Sequence, residues 1–322
     1  MVYIEFLYDT TPNTVLFGGK GSNLIKLHNF GITIPPGFIL TTELYRKFLK
    51  KSFLKEKLNK ILPEVYEPRE VLTLSTKVKS LFLKSEIPNK IYDEIKTAFD
   101  KTRKVYGKDI SFAVRSSASI EDSKDFSFAG QAESYLYSRT LDEIISSLKN
   151  CWASLYSPQA LLYFFQVSKK GKKIPIQELE MAVIIQKMIN SQVSGVLFTA
   201  NVINNNQNQI MINSTWGLGE TITNNKVIPD LIILNKSNGT VEKLVVGEKK
   251  LKSIPNPKGS STILVETEQN LRQSCSLSHN QLQQLYTLGL KIENKFNYPQ
   301  DIEWAIEKDK IFILQTRPIT TL

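Results

Sequence analysis

The chain has 322 residues, 41% hydrophobic and 22% charged, which is the make-up of an ordinary globular protein and not of a disordered, collagenous or membrane-spanning one. Its 41 basic and 31 acidic residues give a net charge of +10, but the lysines are mixed with glutamate in helical stretches such as KFLKKSFLKEKLNK. That pattern reads as a solvated surface, so a nucleic-acid partner is not expected. Two isolated cysteines, Cys151 and Cys275, exclude CxxC zinc or redox spacing and point to a reducing, cytoplasmic setting. The start MVYIEFLYDTTPN lacks a secretory pattern, and no apolar run reaches membrane-helix length.

In chain order, Gly18-Gly19-Lys20-Gly21 ends a loop, and Leu24, Ile25, Leu27 and Phe30 follow at helical spacing. Ile34-Pro35-Pro36-Gly37 breaks the chain before a strand at Phe38–Leu40. Residues 42–104 read as helices interrupted near Pro63, Pro68 and Pro88, and a strand at Phe112–Val114 leads into the polar run Arg115–Asp125. A helix over 141–166 precedes two dense apolar strands, 181–188 and 195–199. The polar spacer NNNQNQ marks a hairpin tip before a strand at 210–213, and further strands fit 230–235 and 241–246. A helix over 280–296 and closing strands at 302–306 and 311–315 complete an α+β pattern, helix-rich first and strand-rich second, with a hinge expected around 190–200.

Three constellations could carry chemistry. FGGKGS fails the Walker A pattern at two of four positions; it is either a helix-entry turn or a loop that places the Lys20 ammonium and helix N–H groups on phosphate oxygens. Arg115, read at a strand's end and followed by Ser116-Ser117 and later Gly130, offers a phosphate clamp or merely a serine-rich surface loop. In DIEWA and ILQTRP, strand alternation puts Glu303 opposite in direction to Ile302 and Trp304, and puts Gln315 and Arg317 on a common face. Such a face supplies two oxygen ligands suited to Mg²⁺ and a guanidinium for a phosphoryl group, unless it is simply wet.

In this order, GGKGSNLIKLHNFGITIPPGF, FAVRSSASIEDSKDFSFAGQAESYL, VIIQKMINSQVSGVLFTAN, STWGLGETITNNKVIPD and PQDIEWAIEKDKIFILQTRPIT closely resemble the nucleotide-binding domain of phosphoenolpyruvate synthase, pyruvate phosphate dikinase and rifampicin phosphotransferase. The resemblance runs from about Leu16 to Thr320. It implies an ATP-grasp fold, two lobes closing on a nucleotide cleft, here expected as 1–195 and 196–322. It implies ATP and Mg²⁺ as cofactors: Lys20 and Arg115 hold phosphates and count as catalytic with Arg317, which stabilises the moving phosphoryl group. Gly130 and Ser134 line the phosphate loop, Gln186 to Met188 form the adenine-edge strand, and Glu303 and Gln315 hold the metal.

In that family ATP phosphorylates a histidine on a separate swivelling domain. The chain stops just after Arg317-Pro318, where relatives continue into substrate and phosphohistidine domains, so those partners are expected on another chain or removed. Its own His28 and His279 lack a Thr-Ser-His setting and are read as structural or solvated. Ser134 stands where relatives usually have Thr, Val202 where they have proline, and Thr223-Asn224-Asn225 replaces a VSG-like turn. The competing functions are a nucleotide-binding regulatory protein without catalysis and a ligase-like enzyme that activates a carboxylate.

Overall fold

A computed structural model describes residues 2–8, 10–62, 67–118, 122–123, 126–127, 134–169 and 179–320. The chain divides into two compact units, 1–22 with 36–187, and 23–35 with 188–322. The expected lobes, 1–195 and 196–322, differ from these units at 188–195 and at 23–35, and the backbone pairing of the second unit accounts for both differences.

The first unit is built on a five-stranded sheet ordered β1-β2-β7-β3-β6. Its strands are β1 (Ile4–Phe6), β2 (Gly37–Leu40), β3 (Phe112–Ala118), β6 (Ser134–Ser138) and β7 (Met181–Lys187), with the short pair β4 (Asp122–Ser123) and β5 (Phe126–Ser127) beside them in sequence. All neighbours in the sheet are antiparallel. The helices are α1 (Thr14–Asn29, divided between the units after Ser22), α2 (Thr42–Lys51), α3 (Leu54–Ile61), α4 (Val71–Lys84), α5 (Asn89–Tyr106), α6 (Leu141–Ser154) and α7 (Pro158–Lys169).

The helices form where an apolar stripe at helical spacing has a start signal. Thr41 caps α2, whose Leu44, Tyr45, Phe48 and Leu49 are buried. Thr140 and Glu143 make a reciprocal capping box at α6, which buries Ile144, Leu148, Cys151 and Trp152. Trp152 stacks on Phe48 with ring centroids 4.6 Å apart, at the centre of a core completed by Phe112, Val114, Val183 and Ile185 from the sheet. Met181 to Gln186 are all buried, as a central strand covered on both faces requires.

In the second unit a six-stranded antiparallel sheet has the order β11-β10-β9-β8-β14-β15. These strands are β8 (Val193–Phe198), β9 (Gln209–Trp216), β10 (Asp230–Asn235), β11 (Val241–Val245), β14 (Gln300–Glu307) and β15 (Lys310–Pro318), and β12 (Leu251–Pro255) pairs with β13 (Thr262–Glu266) as a separate hairpin. Helices α8 (Glu220–Thr223) and α9 (Gln269–Arg272) are single turns, and α10 (His279–Phe296) opens on a Ser278/Gln281 capping box. Leu282, Leu285, Ile292 and Phe296 of α10 are buried, and Gly289 lets the helix approach β8: a Cβ there would lie 3.0 Å from a Leu197 methyl.

Strand β15 is a sheet edge, and exposed edges invite unwanted pairing. Here the edge is capped by the segment 23–35: the Ile313 amide donates to the Thr33 carbonyl at 2.9 Å, and Asn23 Nδ2 donates to the Thr316 carbonyl at 3.2 Å. Those bonds tie 23–35 to the second unit, and β8, lying between β9 and β14, ties in the residues expected as a hinge.

Candidate functional site

Strand β3 turns Phe112, Val114 and Ala118 into the helical core, so Ala113, Arg115 and Ser117 occupy the other face of the sheet. Register brings further residues to that face: Arg115 lies opposite Ser134 on one side and Ile184 on the other, Ala113 opposite Gln186, and Gln186 opposite Gly37. Gln186 is buried, Arg115 half-buried and Ser134 exposed. Arg115 is inside the strand and not at its end, because pairing with β7 continues through Ser116, Ser117 and Ala118. Gly130 lies outside the described residues, and Met188 is a buried residue one position beyond the end of β7.

The glycine motif marks a break within α1: two helical stretches meet at Gly18, whose φ 68° and ψ 176° are not helical, so Gly19, Lys20 and Gly21 open the second stretch as a helix-entry turn does. A Cβ at Gly18 would sit 2.2 Å from the Ser117 carbonyl oxygen, so both the conformation and the space require glycine. The Ser117 hydroxyl donates to the Phe17 carbonyl at 2.7 Å and accepts from the Gly21 amide at 3.0 Å. Lys20 Nζ donates to the Ser116 carbonyl at 3.3 Å. The glycine motif and the Arg115 strand are therefore one assembly with Ser117 as its rivet, a role that a serine run conceals. Removing this buried hydroxyl in Ser117→Ala leaves the Gly21 amide unpaired and is expected to cost about 1–3 kcal/mol, read as a lower melting temperature; an unchanged melt would contradict the anchoring role.

The second group of site residues stands on the sheet of the other unit. Glu303 lies opposite Gln315, and Asp301 opposite Arg317, in the β14–β15 register. A bulge after Glu303 pairs Trp304 with Ile313, so the buried Ile302, Trp304 and Ile313 belong to the α10 side while Glu303, Gln315 and Arg317 share the reverse face. Across β14, Glu303 and Asp301 pair with Val196 and Phe198 of β8, which continue that face toward Asn213 and Met211 of β9.

Arg317 Nε donates to Asp301 Oδ2 at 2.7 Å, with side-chain exposures of 47% and 11%. Burial pushes the Asp301 carboxyl above the usual carboxylate range; the Arg317 guanidinium opposes this and the Glu303 charge adds to it. Sequence reasoning named Arg317 but missed Asp301 as its partner, although the DIE spacing placed both carboxylates on one strand face. Among the described residues no group of three or more His, Cys, Asp or Glu side chains forms a ready metal cage. Any cation at Glu303 and Gln315 would complete its shell with water and ligand oxygens.

The two sheets thus define a mixed helix-and-sheet protein in which each unit has one sheet face where charged and amide side chains stand among apolar ones. Residues 14–322 match the family described as pyruvate phosphate dikinase, AMP/ATP-binding domain, and the chain belongs to that family. It is 38% identical over 99% of its length to a protein of Pyrococcus horikoshii named "Probable phosphoenolpyruvate synthase", covering 43% of that protein. To phosphoenolpyruvate synthase of Pyrococcus furiosus it is 37% identical over 99% of its length, covering 44% of the relative. To an uncharacterized phosphotransferase of Bacillus subtilis it is 33% identical over its whole length, covering 35%. The chain spans less than half the length of these relatives. Among the described residues no helix is long and apolar enough to cross a membrane.

Proposed function

We propose that this chain is the nucleotide-binding part of a phosphoenolpyruvate synthase-like phosphotransferase, an ATP-grasp module whose two lobes close on ATP and which passes a phosphoryl group to an acceptor outside the described chain. The observation that carries the reading is the β14–β15 face: a carboxylate and an amide oxygen directly opposite each other, with a guanidinium two residues further along. Two neutral-to-anionic oxygen donors and open coordination positions suit Mg²⁺, which when bound would offset the charge of the phosphate tail. Glu303 and Gln315 would hold that ion, with Arg317, oriented by Asp301, beside the transferring group.

In the other unit, Lys20 and Arg115 would neutralise the remaining phosphates, with Ser134 and Gly130 adding donors and the Gln186–Met188 segment presenting backbone to the adenine edge. Positioning and charge stabilisation are the chemistry asked of these residues, since phosphoryl transfer needs little covalent help from the protein. The acceptor that suits this arrangement is a histidine of a swivelling domain, together with a substrate domain, supplied by another chain or by a longer form of this one.

Mg-ATP at 100 times its dissociation constant should stabilise the protein by about 2.7 kcal/mol through mass action. A differential scanning measurement should then show the melting temperature raised by about 4 °C. A folded sample whose melt is unmoved by millimolar Mg-ATP would overturn the proposal.

A further inference from the structure

Away from the residues assigned to nucleotide, the second unit holds a cavity of about 380 Å³ between the turn at residues 31–33, one face of α10 and the β14–β15 hairpin. Its size is that of a small-molecule site. The apolar wall comes from Ile32, Leu288, Ile311 and Ile313, of which the three isoleucines are buried. Thr33 and Gln284 add polar groups, and Lys308, Asp309 and Lys310 of the hairpin turn stand at the rim.

The cations of this rim, Lys308 and Lys310, are exposed and form no ion pair among the described residues. Lys310 lies 5.3 Å from the Phe312 ring centroid. Lys291 adds a third charge nearby, its Nζ 3.9 Å from where a Cβ of the cavity-lining Gly31 would stand. The rim carboxylate is already engaged, since Asp309 Oδ1 accepts from Gln281 Nε2 at 3.3 Å. The turn itself is held in place by the Lys308 amide, which donates to Gln192 Oε1 at 2.9 Å.

Lys308 and Asp309 both have left-handed backbone, φ 49° and 60°, where a two-residue hairpin favours Asn-Gly. The side chain of Lys308, at the first of these positions, is exposed.

We propose that this cavity binds a small organic anion with an apolar body, the body against Ile32, Leu288, Ile311 and Ile313 and the anionic group between Lys308 and Lys310. The test uses 8-anilinonaphthalene-1-sulfonate, an aromatic body with one sulfonate, titrated into the full chain and followed by fluorescence. Saturable binding at one site is expected, unchanged by saturating Mg-ATP. The double variant Lys308→Asn/Lys310→Gln keeps the hairpin, since asparagine suits left-handed backbone, and should weaken binding by about tenfold or more. Gln284→Trp, at an exposed helix position, should block the mouth and abolish it.

Neutral N-phenyl-1-naphthylamine should bind wild type at least about tenfold more weakly than the sulfonate, and should bind the double variant as it binds wild type. Wild-type affinity in the double variant or in Gln284→Trp, equal affinity for the neutral probe, or displacement by Mg-ATP would each overturn the assignment. None of these readouts depends on whether the chain transfers phosphate.

Discussion

Arg317→Ala is expected to lose on the order of 10²–10³ in phosphoryl transfer while retaining Mg-ATP affinity within about tenfold, as removal of a positioned charge stabiliser does. The guanidinium stands on the same face as Gln315, two residues along β15, and its Nε–Asp301 bond fixes its direction. Because the guanidinium is 47% exposed, the ion pair itself is screened, and the stability lost with it should be no more than about 1 kcal/mol. Arg317→Lys should recover only part of the rate, since an ammonium cannot reproduce the planar fork. The assay supplies a phosphohistidine domain from a relative as acceptor. Wild-type transfer by Arg317→Ala, or rapid turnover by the wild-type chain with no acceptor added, would contradict the assignment.

The second large effect is on stability and comes from a buried ion pair. Asp230 and Lys249 are both fully buried and directly paired. Asp230 Oδ1 also accepts from the Gly247 amide at 2.9 Å, and Oδ2 accepts from the Ser276 amide and hydroxyl, both at 2.7 Å. Lys249 Nζ donates in addition to the Gly247 carbonyl at 2.9 Å. The network joins β10, the link from β11 to β12 and the approach to α10. Lys249→Ala removes the cation paired with a carboxylate shut away from water, and should cost about 3–5 kcal/mol. In a domain of this size that lowers the melting temperature by on the order of 10 °C. The double variant Asp230→Asn/Lys249→Met removes the uncompensated charge yet leaves a side-chain oxygen for the buried amides around it, and should recover part of the loss. A melt within about 2 °C of wild type for Lys249→Ala would show that the pair carries no such weight.

Both results bear on what the sequence reveals. Elements defined by local pattern were legible: α10 as a helix over 280–296, β7 from its unbroken apolar run, and the facing of Glu303, Gln315 and Arg317 from strand alternation. Features set by distant partners were not. Gly18–Gly21 reads as a turn that enters a helix, and Gly18 does break α1 there, but the helical stretch before it and the anchoring by Ser117, about a hundred residues away, leave no local trace. Arg115 reads as a strand end because serines follow it, yet β7 supplies ladder partners for those serines.

Lys249 sits in the run GEKKLK, which reads as solvated; only the fold reveals that Asp230 is waiting for it. The β12–β13 hairpin escaped notice for a related reason: its exposed and half-buried residues give weak alternation, and its position depends on Gly217 and Ser253 meeting. The bulge after Glu303 is likewise invisible locally, though it is what lets Ile313 and Gln315, two residues apart, serve opposite faces.

Calorimetric titration of ATP with and without Mg²⁺, on wild type, Glu303→Ala and Gln315→Ala, tests the central claim most directly. Glu303 is half-buried and Gln315 buried, so Glu303→Ala should melt close to wild type, and Gln315→Ala, which deletes a buried amide, should be about 1–3 kcal/mol less stable while still folded. Wild type should bind Mg-ATP more tightly than metal-free ATP; in each variant that advantage should largely vanish, while metal-free affinity stays within about threefold, under 1 kcal/mol. A full Mg²⁺ advantage in either variant, or a folded variant that binds ATP in neither condition, would contradict the assignment of Glu303 and Gln315 as the metal-holding pair.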